Sequence, residues 1–220
     1  MAKILSVVSR AGLARILEPV ARTALRVGIT PNVVTVTGTV GVLIGSIGFA
    51  ARGHVIAGLV ITTLCALTDL IDGTMARIRG CVGRFGALLD STMDRVADGA
   101  IFGSLAYWFA TTGHPRESAA SLICLVAGLV VSYVKARAEG LGIDCNVGIA
   151  ERPERLLLVG IGALLYTFGV PHGFEVVLWL LAGLSLVTVG QRIVHVYRRD
   201  IVLHRTAASS GSAASSGGGR

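Results

Sequence analysis

Charge is scarce in this chain: Asp, Glu, Lys and Arg make up 15% of the 220 residues, against 53% hydrophobic ones. With a mean hydropathy of +0.73, that scarcity argues against a soluble globule and for a polytopic membrane protein. Aromatic residues are also few, at 5%, and the basic residues are dispersed. The net charge of +7 therefore fits anionic lipid and phosphate ligands, and no nucleic-acid partner is expected. Cys65, Cys81, Cys124 and Cys145 show no C-x-x-C spacing, which argues against thiolate metal sites and disulfide frameworks. No G-x-x-x-x-G-K-[ST] is present, so a P-loop is not in play. Arg10, Arg15, Glu18, Arg22 and Arg26 interrupt the first apolar segment, leaving no core of signal-peptide type.

What is present is a series of hydrophobic segments. Residues 4–28 alternate apolar side chains with those arginines, the pattern of an amphipathic helix in the membrane interface, bent at Pro19. Gly28 can end it, and Thr30-Pro31 supplies a cap and first position for the next helix. Six spans of about 20 residues are predicted near 32–51, 55–79, 85–112, 117–141, 153–170 and 174–198. The expectation is an all-α, six-span membrane domain over 1–205, followed by a disordered Ser/Ala/Gly tail over 206–220. Arg52 and Arg116 are the only Lys or Arg residues in the connections on one side. The positive-inside rule then places both termini at the cytoplasmic face of the cell membrane. Gly41-x-x-x-Gly45 and Gly99-x-x-x-Gly103 have the spacing for close helix contacts, within the bundle or between copies.

Against this apolar background stand four aspartates: Asp69-x-x-Asp72-Gly73-x-x-Ala76-Arg77, eight residues, then Gly86-x-x-x-Asp90-x-x-x-Asp94. One intramembrane carboxylate costs about 2.5–3.5 kcal/mol on insertion scales, and four together repel unless cations neutralise them. Asp69 and Asp72 share one helical face, as do Asp90 and Asp94. A short turn joins the two predicted helices, so both pairs fall at matching depth near the cytoplasmic end. Oxygen-only ligands favour a hard cation, Mg²⁺ or Mn²⁺, and a pair of such ions forms a phosphoryl-transfer centre. Gly73, Ala76 and Gly86 keep the adjoining faces low, and Arg77 can neutralise phosphate. Salt bridges to Arg77, Arg79, Arg84 and Arg95 are the plainer reading, but they leave the spacing unexplained. Asp98, one further turn along, is expected to partner Arg95 or support the cluster. A cation transporter is disfavoured because the acidic residues gather at one end of the spans.

The string D-x-x-D-G-x-x-A-R-x(8)-G-x-x-x-D-x-x-x-D resembles the signature of the CDP-alcohol phosphotransferases, matched at every position. The resemblance implies a membrane enzyme, usually homodimeric, that transfers a substituted phosphate from a CDP-linked donor to an alcohol and releases CMP. It implies two metal ions, one on Asp69, Asp72 and Asp90, the other on Asp69, Asp90 and Asp94, with Asp94 also the general base. It further implies a CDP-diacylglycerol site lined by Gly73, Arg77, Gly83 and the segment Pro31-Asn32-Val33-Val34.

For the acceptor, Ser132, Lys135, Arg137, Arg152, Arg155 and Arg192 form a set suited to an alcohol that itself carries phosphate, which arginine forks bind in bidentate fashion. The segments SYVKARAEGLG and ERPERL resemble actinobacterial members that join CDP-diacylglycerol to 1D-myo-inositol 3-phosphate, giving phosphatidylinositol phosphate. Glycerol 3-phosphate is the alternative acceptor.

Overall fold

A computed structural model describes residues 17–80 and 83–216, with side chains through Val202. Residues 4–16 of the expected interfacial helix and the last four of the expected tail lie outside them; 17–26 are helical and constitute α1. The remaining elements are α2 (Pro31–Leu43), α3 (Val55–Ala66), α4 (Thr68–Ile78), α5 (Arg84–Thr111), α6 (Pro115–Gly140), α7 (Arg152–Thr167) and α8 (Gly173–Ser216). Among the described residues the architecture is all-helical.

Thr30 caps α2 by accepting the Val33 amide on its hydroxyl, with Pro31 at the first helical position. The helix continues through a π-helical segment, Ile44–Phe49, and a tight turn, Ala50–Arg52. It stops at Gly53, whose φ of +83° is costly for any residue with a Cβ.

Among the described residues, four stretches are long and apolar enough to cross a membrane: Pro31–Arg52, Val55–Ile78, Pro115–Gly140 and Gly173–Val202. The other two expected spans are helical but differ in kind. Helix α5 carries Asp90, Asp94 and Arg95 in its first half and Asp98 at its middle, and α7 has only 16 residues, about 24 Å at 1.5 Å per residue.

The expected helix over 55–79 is broken. Helix α3 ends at Ala66 and α4 begins at Thr68. The Thr68 hydroxyl bonds the Cys65 carbonyl at 2.6 Å, and the Leu70 amide reaches only back to Leu67, so the chain tightens just before Asp69. Gly38, Gly41 and Gly45 let α2 lie against this bent pair: a Cβ on Gly38 would stand 2.0 Å from Thr68 Oγ1, and one on Gly41 2.3 Å from Cys65 Sγ. Gly41-x-x-x-Gly45 is thus a contact within the bundle. Beyond Gly99 and Gly103 a Cβ would meet nothing within 4 Å.

Helix α8 runs on to Ser216, through residues where the composition had suggested a disordered tail. Alanine and serine tolerate helix well enough to be carried on from a formed template. The core joins α5, α6, α7 and α8 through Phe102, Phe109, Cys124, Val159, Phe174 and Leu178.

Candidate active site

Helix α2 packs against both α4 and α5. Between them lies a cavity of about 320 Å³ lined by all four aspartates, with Pro31, Asn32, Thr35, Gly73, Gly86 and Arg152 among its other walls. Convergence of the two aspartate pairs, inferred from spacing, is what the structure contains. Asp72 is buried and accepts a 2.6 Å hydrogen bond from the Thr35 hydroxyl, which offsets part of the cost of a carboxylate held away from water.

The principal cationic partner of this cluster is none of the four arginines nearest in sequence. Nη1 of Arg152, from the first position of α7, lies 2.6 Å from both Asp69 Oδ2 and Asp94 Oδ1. Arg95 is more distant, 3.5 Å from Asp94. Arg77 folds back along its own helix onto the Gly73 carbonyl and Thr74 hydroxyl.

Arg152 is delivered by a chain of contacts that begins at α8. The Thr188 hydroxyl accepts the amides of Ile149 and Ala150. The Arg192 guanidinium donates to the carbonyls of Val147 and Val131 at 2.8 and 2.6 Å. These bonds fix the 141–151 connection, and with it the start of α7. Asp98 then bridges two arginines: its Oδ1 stands 3.4 Å from Arg152 Nε, and its Oδ2 bonds Arg155 Nη2. Asp98 therefore partners Arg152 and Arg155, not Arg95.

The expected ligand sets are brought together unevenly. Of the CDP-diacylglycerol set, Pro31, Asn32 and Gly73 line the acidic cavity. Val33 and Arg77 are exposed outside it, and Gly83 serves as the residue before α5. Of the acceptor set, only Arg152 reaches the cavity. Arg155 and Arg192 are buried, Arg192 chiefly on backbone carbonyls. Lys135 sits 3.8 Å from Glu139, Arg137 is exposed in the last turn of α6, and Ser132 is half-buried one turn before. Arg155 Nε is buried with no hydrogen-bond partner, a donor left over for a further acceptor atom.

A second space adjoins the first. An apolar groove of about 510 Å³ runs between α3 and α7, lined by Leu59, Ala66, Leu70, Leu156, Leu157 and Leu164, and it reaches Asp69 and Arg152 at one end. The two residues are walls of both spaces. Once cations sit among the carboxylates, an amphiphile with an anionic head and apolar tails has matching surfaces in both.

Among the described residues, no three His, Cys, Asp or Glu side chains are gathered closely enough to hold a metal ion as they stand, and a guanidinium lies between two of the four carboxylates. The donor chemistry nonetheless fits a hard divalent cation: four carboxylates on one cavity, two of them already sharing a positive charge.

A family model described as CDP-alcohol phosphatidyltransferase matches residues 28–190. A phosphatidylinositol phosphate synthase of Streptomyces avermitilis is 46% identical over 221 residues, covering 94% of this chain and 90% of the relative. One of Mycobacterium tuberculosis is 44% identical over 203 residues, covering 90% and 94%. A crystal structure of the M. tuberculosis enzyme with CDP-DAG bound superposes with a TM-score of 0.78 at 44% identity, over 83% of this chain and 94% of that one. Another, in complex with manganese and citrate, gives 0.78 over 82% and 88%.

Proposed function

The chain belongs to the CDP-alcohol phosphatidyltransferase family, and from that premise we propose that it transfers the phosphatidyl group of CDP-diacylglycerol to 1D-myo-inositol 3-phosphate, forming phosphatidylinositol phosphate and CMP. The single observation that carries the reading is the junction of an acidic cavity and an apolar groove at Asp69 and Arg152. A CDP-linked lipid needs both surfaces in that order, and relatives at 44–46% identity bear the name of this reaction.

In this reading the diacylglycerol tails lie in the α3–α7 groove, and the nucleotide end enters the cavity past Gly73, Pro31 and Asn32, with Val33, Val34, Arg77 and Gly83 flanking the entrance. Asp69, Asp72, Asp90 and Asp94 hold two divalent cations, Mg²⁺ or Mn²⁺. Bound there, the ions polarise the pyrophosphate and stabilise the departing CMP. Thr35 orients Asp72 for its task. Asp94 takes the proton from the acceptor hydroxyl as the oxygen attacks the phosphorus bearing the lipid. One P–O bond forms to the inositol oxygen, and the P–O bond to CMP breaks.

Ser132, Lys135, Arg137, Arg152, Arg155 and Arg192 bind the acceptor's own phosphate. The unpartnered Arg155 Nε supports that role. Glycerol 3-phosphate would satisfy the same cations, so the acceptor is separated from it by assay. Purified protein given CDP-diacylglycerol and Mn²⁺ or Mg²⁺ is expected to release CMP fastest with inositol 3-phosphate. Faster release with glycerol 3-phosphate would replace our acceptor, and no release with any acceptor would remove the activity.

The same reading gives six spans, with α5 and α7 crossing the membrane inside the bundle, and an interfacial helix over 4–28. Both termini and the acidic cavity face the cytoplasm, as the distribution of Lys and Arg supports. The protein is a homodimer in the plasma membrane, and the open faces of Gly99 and Gly103 support α5 as a surface for the second copy.

A further inference from the structure

We infer that Arg152 is an internal counter-cation for the aspartate cluster: it holds Asp69 and Asp94 together when no divalent ion is bound and gives way when one binds. The inference rests on the proposed metal role of the four aspartates.

Its first ground is geometry. One Nη1 atom lies 2.6 Å from an oxygen of Asp69 on α4 and 2.6 Å from an oxygen of Asp94 on α5. Both carboxylates belong to the set proposed to hold metal. A guanidinium and a divalent ion pressed against the same oxygens compete, since two cations at that separation repel each other. The arrangement also solves a folding problem. Asp69, Asp72, Asp90 and Asp94 line one cavity, and like charges so placed repel unless a cation sits among them.

The second ground is how Arg152 is held. Its Nε faces Asp98 at 3.4 Å, and Asp98 is itself gripped by the fully buried Arg155. Gly128 makes room for that partner: a Cβ there would lie 3.2 Å from Arg155 Cζ. Asp98 thus anchors the stem end of the guanidinium while leaving its tip on the cluster. Arg152 also stands where the acidic cavity meets the apolar groove. Once released from Asp69 and Asp94, its tip is free to meet an incoming phosphate without moving its anchor. Asp98 is a positioning residue in this scheme, lying outside the family signature.

Mn²⁺ binding to the purified, substrate-free protein in detergent, followed by the electron paramagnetic resonance of free Mn²⁺, tests the inference. Arg152→Gln is expected to bind Mn²⁺ roughly tenfold tighter than the unaltered chain, the scale on which a neighbouring opposite charge shifts a carboxylate's hold on a proton. Arg95→Gln, which removes a cation beside the cluster but not within it, serves as control. Its effect is expected to be smaller and to vanish in high salt, whereas the Arg152 effect persists. Arg152→Lys keeps the charge but loses the Nε–Asp98 anchor, and is expected to fall between.

In thermal unfolding, Arg152→Gln is expected to be less stable than the unaltered chain without metal and to gain more from Mn²⁺. A variant recovered only in the presence of Mn²⁺ is the same outcome in stronger form. Mn²⁺ affinity unchanged or weakened in Arg152→Gln, or an effect no larger than that of Arg95→Gln, overturns the inference. If the unaltered chain binds no Mn²⁺, the metal role of the aspartates fails instead.

Discussion

The two polar regions of this bundle are built on opposite plans. On the α4–α5 side, four carboxylates surround an open cavity, and their charge is only partly answered from within the protein. On the α7–α8 side, Arg155 and Arg192 are buried and largely consumed by Asp98 and by backbone carbonyls. The first region keeps its ligands exposed for something to bind. The second spends its hydrogen bonds fixing the connection that presents Arg152. Both regions belong to the proposed substrate site, the first through carboxylates left open and the second, besides its proposed hold on the acceptor phosphate, through the contacts that aim Arg152.

Mutations should split along that line. The largest effect on turnover is expected at the carboxylates: Asp90→Asn or Asp94→Asn lowers CMP release by roughly a thousandfold or more, the combined scale of lost charge stabilisation and proton transfer, with thermal unfolding little changed. Near-normal turnover in Asp94→Asn would remove it as the base. The largest effect on folding is expected at Arg155. Arg155→Met leaves buried Asp98 with only its longer contact to Arg152, a loss of up to the about 3–5 kcal/mol that breaking a buried pair costs, and adding Asp98→Asn should restore much of it. Calorimetry in detergent reads both, and a single variant as stable as the parent would contradict the framework role.

Arg192→Ala comes next. It frees the carbonyls of Val131 and Val147, and each buried unsatisfied group costs about 1–3 kcal/mol. Where that variant folds, the KM for the acceptor should rise more than the KM for the lipid donor; equal changes would count against an acceptor site there. The smallest contrast is between glycines. Gly38→Ala drives a methyl into Thr68 and should lower stability by about 1–3 kcal/mol. Gly103→Ala meets open space and should leave the monomer within about 0.5 kcal/mol. A Gly103→Ala chain that sediments as a monomer while the parent is a dimer would place the self-association surface on α5.

The aspartate cluster was readable because most of its information is local. Residues three or four apart share a helix face and a short connection keeps the two helices near each other, while α2, packed on both, completes the cavity that Asp69, Asp72, Asp90 and Asp94 line. The helix positions were readable for the same reason, from apolar runs bounded by Gly and Pro. The break at Leu67 was not, since it depends on a threonine hydroxyl competing for a backbone carbonyl within an apolar run. Thr35 carries no signal either: it is one threonine among several in α2, and its bond to Asp72 exists only because α2 packs on α4. Arginine partners were the least legible. Arg77, Arg79, Arg84 and Arg95 are near the cluster in sequence, yet Arg152, 83 residues from Asp69, takes the place between the carboxylates. Long flexible cations find partners through tertiary packing, which spacing does not encode.

The aspartate cavity is proposed to perform phosphatidyl transfer to an inositol phosphate. The most direct test is to supply purified protein with CDP-diacylglycerol, inositol 3-phosphate and Mn²⁺, and to measure phosphatidylinositol phosphate and CMP together, beside Asp90→Asn. Equal amounts of both products are expected from the parent, none with metal chelated, and none from a folded Asp90→Asn. Product formed by Asp90→Asn at the parent's rate, or CMP released without the phospholipid, would contradict it.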